Sequence, residues 1–311
     1  MRLDPDAAAR VASLGVMPPM RVRGLAAVRE AIESAPHPDA MPAMAHIEDC
    51  AIPGAAGRIP IRIYRPTSDS GGPVIVYFHG GGMVMGSNHS FEPLARTLAA
   101  GSNATVVSVE YRLAPENPPP AQFDDAYSAT AWVADNAERL GLDASLLAVV
   151  GDSAGGSLAA AVALAARDHD GPNICCQVLI YPGLDRDMAA PSITALADAP
   201  MLSLDDINYM HDLADCGAGA PHDPYRVPGY AADVSGLPPA IVVTGECDPI
   251  RDWGERYATR LRDASVQTTV TRYPGMYHGF LMRSDATARG RLAIAEIGAL
   301  LRAKFAHPLA F

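Results

Sequence analysis

Short apolar runs alternate with longer stretches of helical spacing along most of this chain. Residues 74–78 (VIVYF), 104–109 (ATVVSV), 146–150 (LLAVV), 176–181 (CQVLIY) and 240–244 (AIVVT) are nearly continuous in apolar side chains. That is the pattern of strands covered on both faces. Residues 59–65 (IPIRIYR) and 267–273 (QTTVTRY) are more mixed. The first alternates apolar and polar side chains, as a half-buried strand does. Between the runs, helices are predicted over about 89–100, 122–139, 153–171, 252–263 and 286–304. Near the N-terminus, Val22, Leu25, Val28 and Ile32 recur at helical spacing over 21–33, and Pro36 and Pro38 end that pattern.

Strands alternating with helices predict an α/β fold: a mostly parallel sheet with helices on both faces. Residues 183–235 break the rhythm. They are rich in Asp, Ala, Pro and Gly, with one helix-like piece at 203–214. The expected organisation is one α/β domain, 46–182 with 236–311, and a cap made of 1–45 and 183–235.

Ligands of open α/β sheets collect at the carboxyl ends of the strands, so the residues after each strand matter most. After 146–150 comes Gly151-Asp152-Ser153-Ala154-Gly155. A G-x-S-x-G between a strand and a helix is the setting of a nucleophile elbow. Ser157, one turn into the helix, lacks that signature and is expected to pack. After 74–78 comes His79-Gly80-Gly81-Gly82, where glycines let backbone N–H groups approach a developing oxyanion. His79 is expected to orient that loop rather than carry protons.

After 240–244 come three acids, Glu246, Asp248 and Asp252; after 267–273 comes His278, between Gly275 and Gly279. A serine nucleophile needs a base, and the base needs a carboxylate to hold its tautomer. Ser153, an acid at 246–252 and His278 follow the chain order of the α/β-hydrolase triad. Spacing favours Asp248 as the acid, with Glu246 as a rival and Asp252 expected to cap the next helix.

Composition narrows the partners. The net charge of −11 argues against nucleic acid or an anionic membrane surface. No apolar run reaches the roughly 18 residues of a spanning helix, and the N-terminal MRLDPDAAARVASLGV lacks a signal-peptide core. The five cysteines, Cys50, Cys175, Cys176, Cys216 and Cys247, show no metal or redox spacing. A cytoplasmic location is expected. Strand 267–273 is expected at the sheet edge, where pairing with a second copy would make a homodimer.

Together HGGG at 79–82, YRLAPENPPPAQFDD at 111–125, GDSAGG at 151–156, LIYP at 179–182, DPIRD at 248–252 and YPGMYHGF at 273–280 resemble the bacterial hormone-sensitive-lipase family of esterases. The resemblance runs from about residue 60 to 305. It implies an α/β-hydrolase fold with an eight-stranded sheet and helical cap, and hydrolysis of short-chain carboxylic esters without a cofactor. It assigns Ser153 as nucleophile, Asp248 as acid, His278 as base, and the N–H groups of Gly81, Gly82 and Ala154 as the oxyanion hole. Met83 stands where the family often has an aromatic residue, Trp253 where it often has an acid, and Tyr209 where Trp or Phe is more usual. These three, with Tyr181 and Met201, are candidates to line the substrate pocket. Two other readings stay open: an amide or lactone as main substrate, and a non-catalytic small-molecule receptor.

Overall fold

The computed structural model describes residues 2–69, 71–217 and 222–309. Three short helices come first: α1 (Pro5–Ser13), α2 (Met20–Arg23) and α3 (Leu25–Glu33). The single helix expected over 21–33 is therefore split. Gly24, at φ 78° and ψ 149°, ends one helix and starts the next, a backbone state open to glycine and strained for other residues.

The strands and helices then follow in order: β1 (His46–Gly54), β2 (Gly57–Arg65), β3 (Gly72–Phe78), α4 (Glu92–Ser102), β4 (Thr105–Val109), α5 (Ala121–Asp135), β5 (Leu142–Asp152), α6 (Ala154–Asp168), β6 (Cys176–Ile180), α7 (Pro191–Ala195), α8 (Leu204–Asp215), β7 (Ala240–Cys247), α9 (Arg251–Asp263), β8 (Thr268–Tyr277) and α10 (Ala288–Ala306). They form one eight-stranded sheet in the order β1-β2-β4-β3-β5-β6-β7-β8. β1, β2 and β4 pair antiparallel, and every pair from β4–β3 to β7–β8 is parallel. β8 is an edge strand, as expected.

β1 escaped the sequence pattern because it is the other edge. Of its nine residues only Ile52 is buried, opposite Ile59 of β2, so it shows almost no apolar period. The central strands are covered on both faces, which explains their unbroken apolar runs. Val74, Val76 and Phe78 of β3 face a core shared with α5, α6 and α9, while Ile75 and Tyr77 face one shared with α4, α10 and Ala7 of α1.

The two irregular segments meet over the carboxyl ends of the parallel strands. α8 starts with a capping box between Ser203 and Asp206. The same Asp206 accepts from the Met20 amide at 2.8 Å, tying the start of α2 to the start of α8. Arg29 of α3 reaches the other way, donating to the carbonyls of Val84 and Ala114 at 2.7 and 2.9 Å and pairing with Glu116 at 2.7 Å. Within 183–235, residues 218–221 lie outside the described residues, as do residue 1 and residues 310–311 of the outer segments. Among the described residues, no helix is long and apolar enough to cross a membrane.

Candidate active site

The turn from β5 to α6 places Ser153 at φ 54° and ψ −117°, an unfavourable state for a residue with a Cβ. Its surroundings hold it there. The Ser153 amide donates to the Ile180 carbonyl at 2.8 Å, and its carbonyl accepts from Gly183 at 3.0 Å. The flanking glycines are required by contact. A Cβ on Gly151 would collide with the Gly155 carbonyl, and one on Gly155 with the carbonyl of Phe78 on β3. The turn thus closes only with glycine on both sides of the serine.

His278 arrives from the loop after β8, and Asp248 from the loop after β7. His278 Nε2 lies 2.9 Å from Ser153 Oγ, and His278 Nδ1 lies 2.8 Å from Asp248 Oδ2. Asp248 is fully buried, and its other oxygen accepts from the Ile250 amide at 2.9 Å. The carboxylate therefore fixes a proton on Nδ1 and leaves Nε2 free to accept one from Ser153. The Tyr181 ring stands edge-on to the imidazole, with centroids 5.0 Å apart.

Glu246 does not compete for His278; it accepts from the Gly275 amide at 2.8 Å and braces the histidine loop. The expectation that Asp252 caps its own helix is corrected. α9 begins at Arg251, one residue earlier, and Asp252 instead accepts from Ser192 N at 2.8 Å, at the start of α7. Cys247 is buried against the Arg2 carbonyl.

The glycine loop after β3 lies beside the serine because β3 and β5 are neighbours, with Phe78 level with Gly151. Among the described residues, none offers an acceptor to the N–H groups of Gly81, Gly82 or Ala154. The Ala154 N–H also belongs to the first turn of α6, where helix donors are left over. His79 is fully buried, stacked on Tyr111 with centroids 4.3 Å apart, and its Nδ1 lies 2.7 Å from the Gly80 carbonyl. Burial pulls its pKa down to about 4, so it stays neutral and shapes the loop.

Sequence reasoning missed the residue that joins the loop to the serine turn. Asp152, fully buried, accepts from the Tyr77 hydroxyl at 2.6 Å and from the Gly80 amide at 2.9 Å. Burial pushes its pKa up to about 6, against the pull of those two donors. Its place beside the nucleophile was the available signal, but the motif says nothing about where that side chain points.

A cavity of about 100 Å³ opens onto Ser153. Met83 and Trp253 line it, and so do Gly82 and Ala154. Ser157, expected only to pack, also reaches its wall. Tyr181, Met201 and Tyr209 do not line it, which corrects those three expectations. Tyr181 is sealed beneath His278. Met201 lies on a separate hollow with Met17 and Pro19. α8 turns Ile207, Met210, His211 and Ala214 into the cavity, so Tyr209 faces α2 and sits under the Arg21 guanidinium at 4.9 Å. The sequence pattern also missed Phe123, Arg186, Asp215, Tyr225 and Arg226, all in the cavity wall.

One group away from this site has metal-ligand spacing among the described residues: His37, His89 and Glu92, with ligand atoms within 4.8 Å of one another. Glu92 is already paired with Arg62 at 3.0 Å and Arg96 at 2.5 Å, two cations that oppose a metal ion there.

Comparison with known proteins agrees with the architecture. A family model described as the alpha/beta hydrolase fold matches residues 75–282. The chain is 40% identical over 288 residues to Esterase LipI of Mycobacterium tuberculosis, across 88% of this chain and 89% of that one. It is 43% identical over 249 residues to Carboxylesterase NlhH of the same organism, across 76% and 77%. The solved structure of a hyperthermophilic esterase from the archaeon Pyrobaculum calidifontis matches with a TM-score of 0.90 at 37% identity, covering 97% of this chain and 99% of that one.

Proposed function

Since the chain belongs to the α/β-hydrolase-fold esterases of the bacterial hormone-sensitive-lipase type and is a carboxylic ester hydrolase, we propose that it cleaves short-chain acyl esters through a Ser153-His278-Asp248 triad. The observation that carries this reading is the pair of contacts at His278: 2.9 Å to Ser153 Oγ and 2.8 Å to the buried Asp248 carboxylate.

The reaction runs in two halves. Ser153 Oγ attacks the ester carbonyl while His278 Nε2 takes its proton. The carbonyl oxygen becomes an oxyanion facing the N–H groups of Gly81, Gly82 and Ala154. His278, now an imidazolium stabilised by Asp248, protonates the leaving alcohol as the C–O bond breaks. Water then attacks the acyl-enzyme, giving its proton to His278, and Ser153 departs with that proton as the acid is released. Each oxyanion donor in such a site is worth about 10²–10³ in kcat.

In this reading 1–45 and 183–235 form the cap that closes the cavity, supported by the Met20–Asp206 and Arg29–Glu116 ties. The β8 edge pairs with a second copy to form a homodimer. The five free thiols support a cytoplasmic location.

The test is hydrolysis of a p-nitrophenyl ester series from acetate to decanoate, with matched amides and lactones. Short acyl esters should be fastest, and Ser153→Ala should fall to background and form no acyl-enzyme. Parental turnover of p-nitrophenyl butyrate by Ser153→Ala would overturn the mechanism.

A further inference from the structure

The cavity beside Ser153 is apolar along Phe123, Leu158 and Met210 but charged at one end. There Arg186 and Arg226 both donate to Asp215 Oδ1, each through Nη2 at 3.1 Å. Two guanidinium charges share one carboxylate oxygen. The neighbouring acids turn to a different cation. Asp185 and Asp187 are drawn to Arg256, at 3.1 and 2.7 Å. His211, in the same wall, is neutral, because burial and then the Arg186 charge pull its pKa down to about 3. Among the described residues, Asp215 is thus the one carboxylate that Arg186 and Arg226 reach, although with Arg256, Asp185 and Asp187 counted the wider cluster is neutral.

Arg186 is also short of partners. Its side chain is 19% exposed, and its Nη1 is enclosed without a hydrogen-bond partner among the described residues. A buried guanidinium donor with no acceptor is costly, and a planar fork is built to take a carboxylate through two N–H groups. Nothing in ester hydrolysis itself uses this pair.

We propose that this end of the cavity is a carboxylate subsite, so that the preferred substrates are esters whose chain ends in a free carboxylate received by Arg186 and Arg226. The inference rests on the reading of Ser153 as the nucleophile facing this cavity. The apolar walls hold the methylenes between the reacting carbonyl and the acid group. With the substrate carboxylate seated, the Arg186 and Arg226 guanidinium groups gain a second acceptor beside Asp215. The discrimination comes from the neutral analogue, which leaves the guanidinium donors unmatched.

The experiment compares kcat and KM for monomethyl succinate, glutarate and adipate with methyl butyrate, valerate and hexanoate, and for ω-carboxyalkyl acetates with alkyl acetates of equal length. The first set places the carboxylate on the acyl side and the second on the alcohol side. Physiological salt limits long-range repulsion from the net charge of −11, the Debye length being about 8 Å. In one of the sets the acid should be preferred by about tenfold in kcat/KM, expressed mainly in KM. Arg186→Gln and Arg226→Gln should each lower the acid-to-neutral ratio by about tenfold, with Arg186→Lys keeping part of it. Equal or better hydrolysis of the neutral ester in both sets by the wild-type enzyme overturns the subsite, whatever the variants do to folding. Neutral-ester hydrolysis that survives Ser153→Ala overturns the nucleophile reading instead, so the two failures are distinct.

Discussion

The Asp152 carboxylate joins two halves of the site: one oxygen, Oδ1, accepts from the Tyr77 hydroxyl at 2.6 Å and from the Gly80 amide at 2.9 Å. Tyr77 lies on β3 and Gly80 opens the loop that presents Gly81 and Gly82. Asp152 is the residue before Ser153. One buried side chain thus ties the turn at Ser153 to the loop of Gly81 and Gly82, alongside the pairing of β3 with β5.

Removing that acceptor should misplace the donors without touching the triad. Asp152→Ala is expected to lower kcat by about 10–10², approaching the loss of one oxyanion donor, with a smaller change in KM. Asp152→Asn keeps an acceptor oxygen and should lose much less. Steady-state kinetics on a p-nitrophenyl ester separates the two. Equal losses in both variants would mean that the charge, not the bond to Gly80, is what matters.

The same carboxyl makes a stability prediction with a definite sign. Its pKa is about 6 in the folded protein, raised mainly by burial from an ordinary 3.8. Between those values the native state holds a proton that the unfolded chain releases, so its contribution to stability falls as pH rises from about 4 to 6. Asp152→Asn lacks this term. Relative to wild type, it should gain about 2–3 kcal/mol in urea unfolding between pH 4 and pH 7. His79 acts in the opposite sense. It stays neutral down to about pH 4 and so costs stability in acid, but it is present in both proteins and cancels in the comparison. A difference that stays constant with pH would remove Asp152 from the account.

The glycines of the serine turn give a simpler test. Gly155→Ala drives a Cβ into the Phe78 backbone carbonyl, which sits in a central strand and cannot yield as a side chain would. Overpacking of this kind costs about 1–3 kcal/mol or more, and the displaced turn should carry Ser153 away from His278. Both denaturant midpoint and activity should drop. Wild-type stability in this variant would show that α6 shifts freely on the sheet.

The chemistry was more legible in the chain than its walls were. Ser153, Asp248 and His278 each follow a strand, and parallel strands deliver their carboxyl ends to one edge, so order along the chain translates into proximity. Gly24 and β1 were harder. One glycine among good helix formers does not reveal that it will adopt a positive φ, and an exposed edge strand has no reason to show periodicity. Arg186, Arg226 and Asp215 lie in a segment without repeated pattern, and their meeting depends on how that segment folds over the sheet. Tyr209 shows the same limit on a helix that was foreseen: a helix's position does not fix its rotation, and a turn of about 100° per residue separates Tyr209 from Met210.

The edge of β8 supplies the final prediction. The Gln267 carbonyl accepts from Ala240 of β7 at 2.8 Å, so residue 267 faces inward. N–H and C=O of one residue in a parallel strand point to the same side, and the side alternates. Residues 268, 270 and 272 therefore direct their backbone groups outward, and the Thr268 carbonyl indeed meets the Arg262 side chain rather than β7. Val270→Pro removes one outward N–H and spares the ladder to β7, since proline is tolerated on an edge. If two copies pair through β8, wild type should sediment as a dimer and Val270→Pro as a monomer with the same circular dichroism spectrum. A wild-type monomer, or a variant that remains dimeric, would place any self-association elsewhere on the surface.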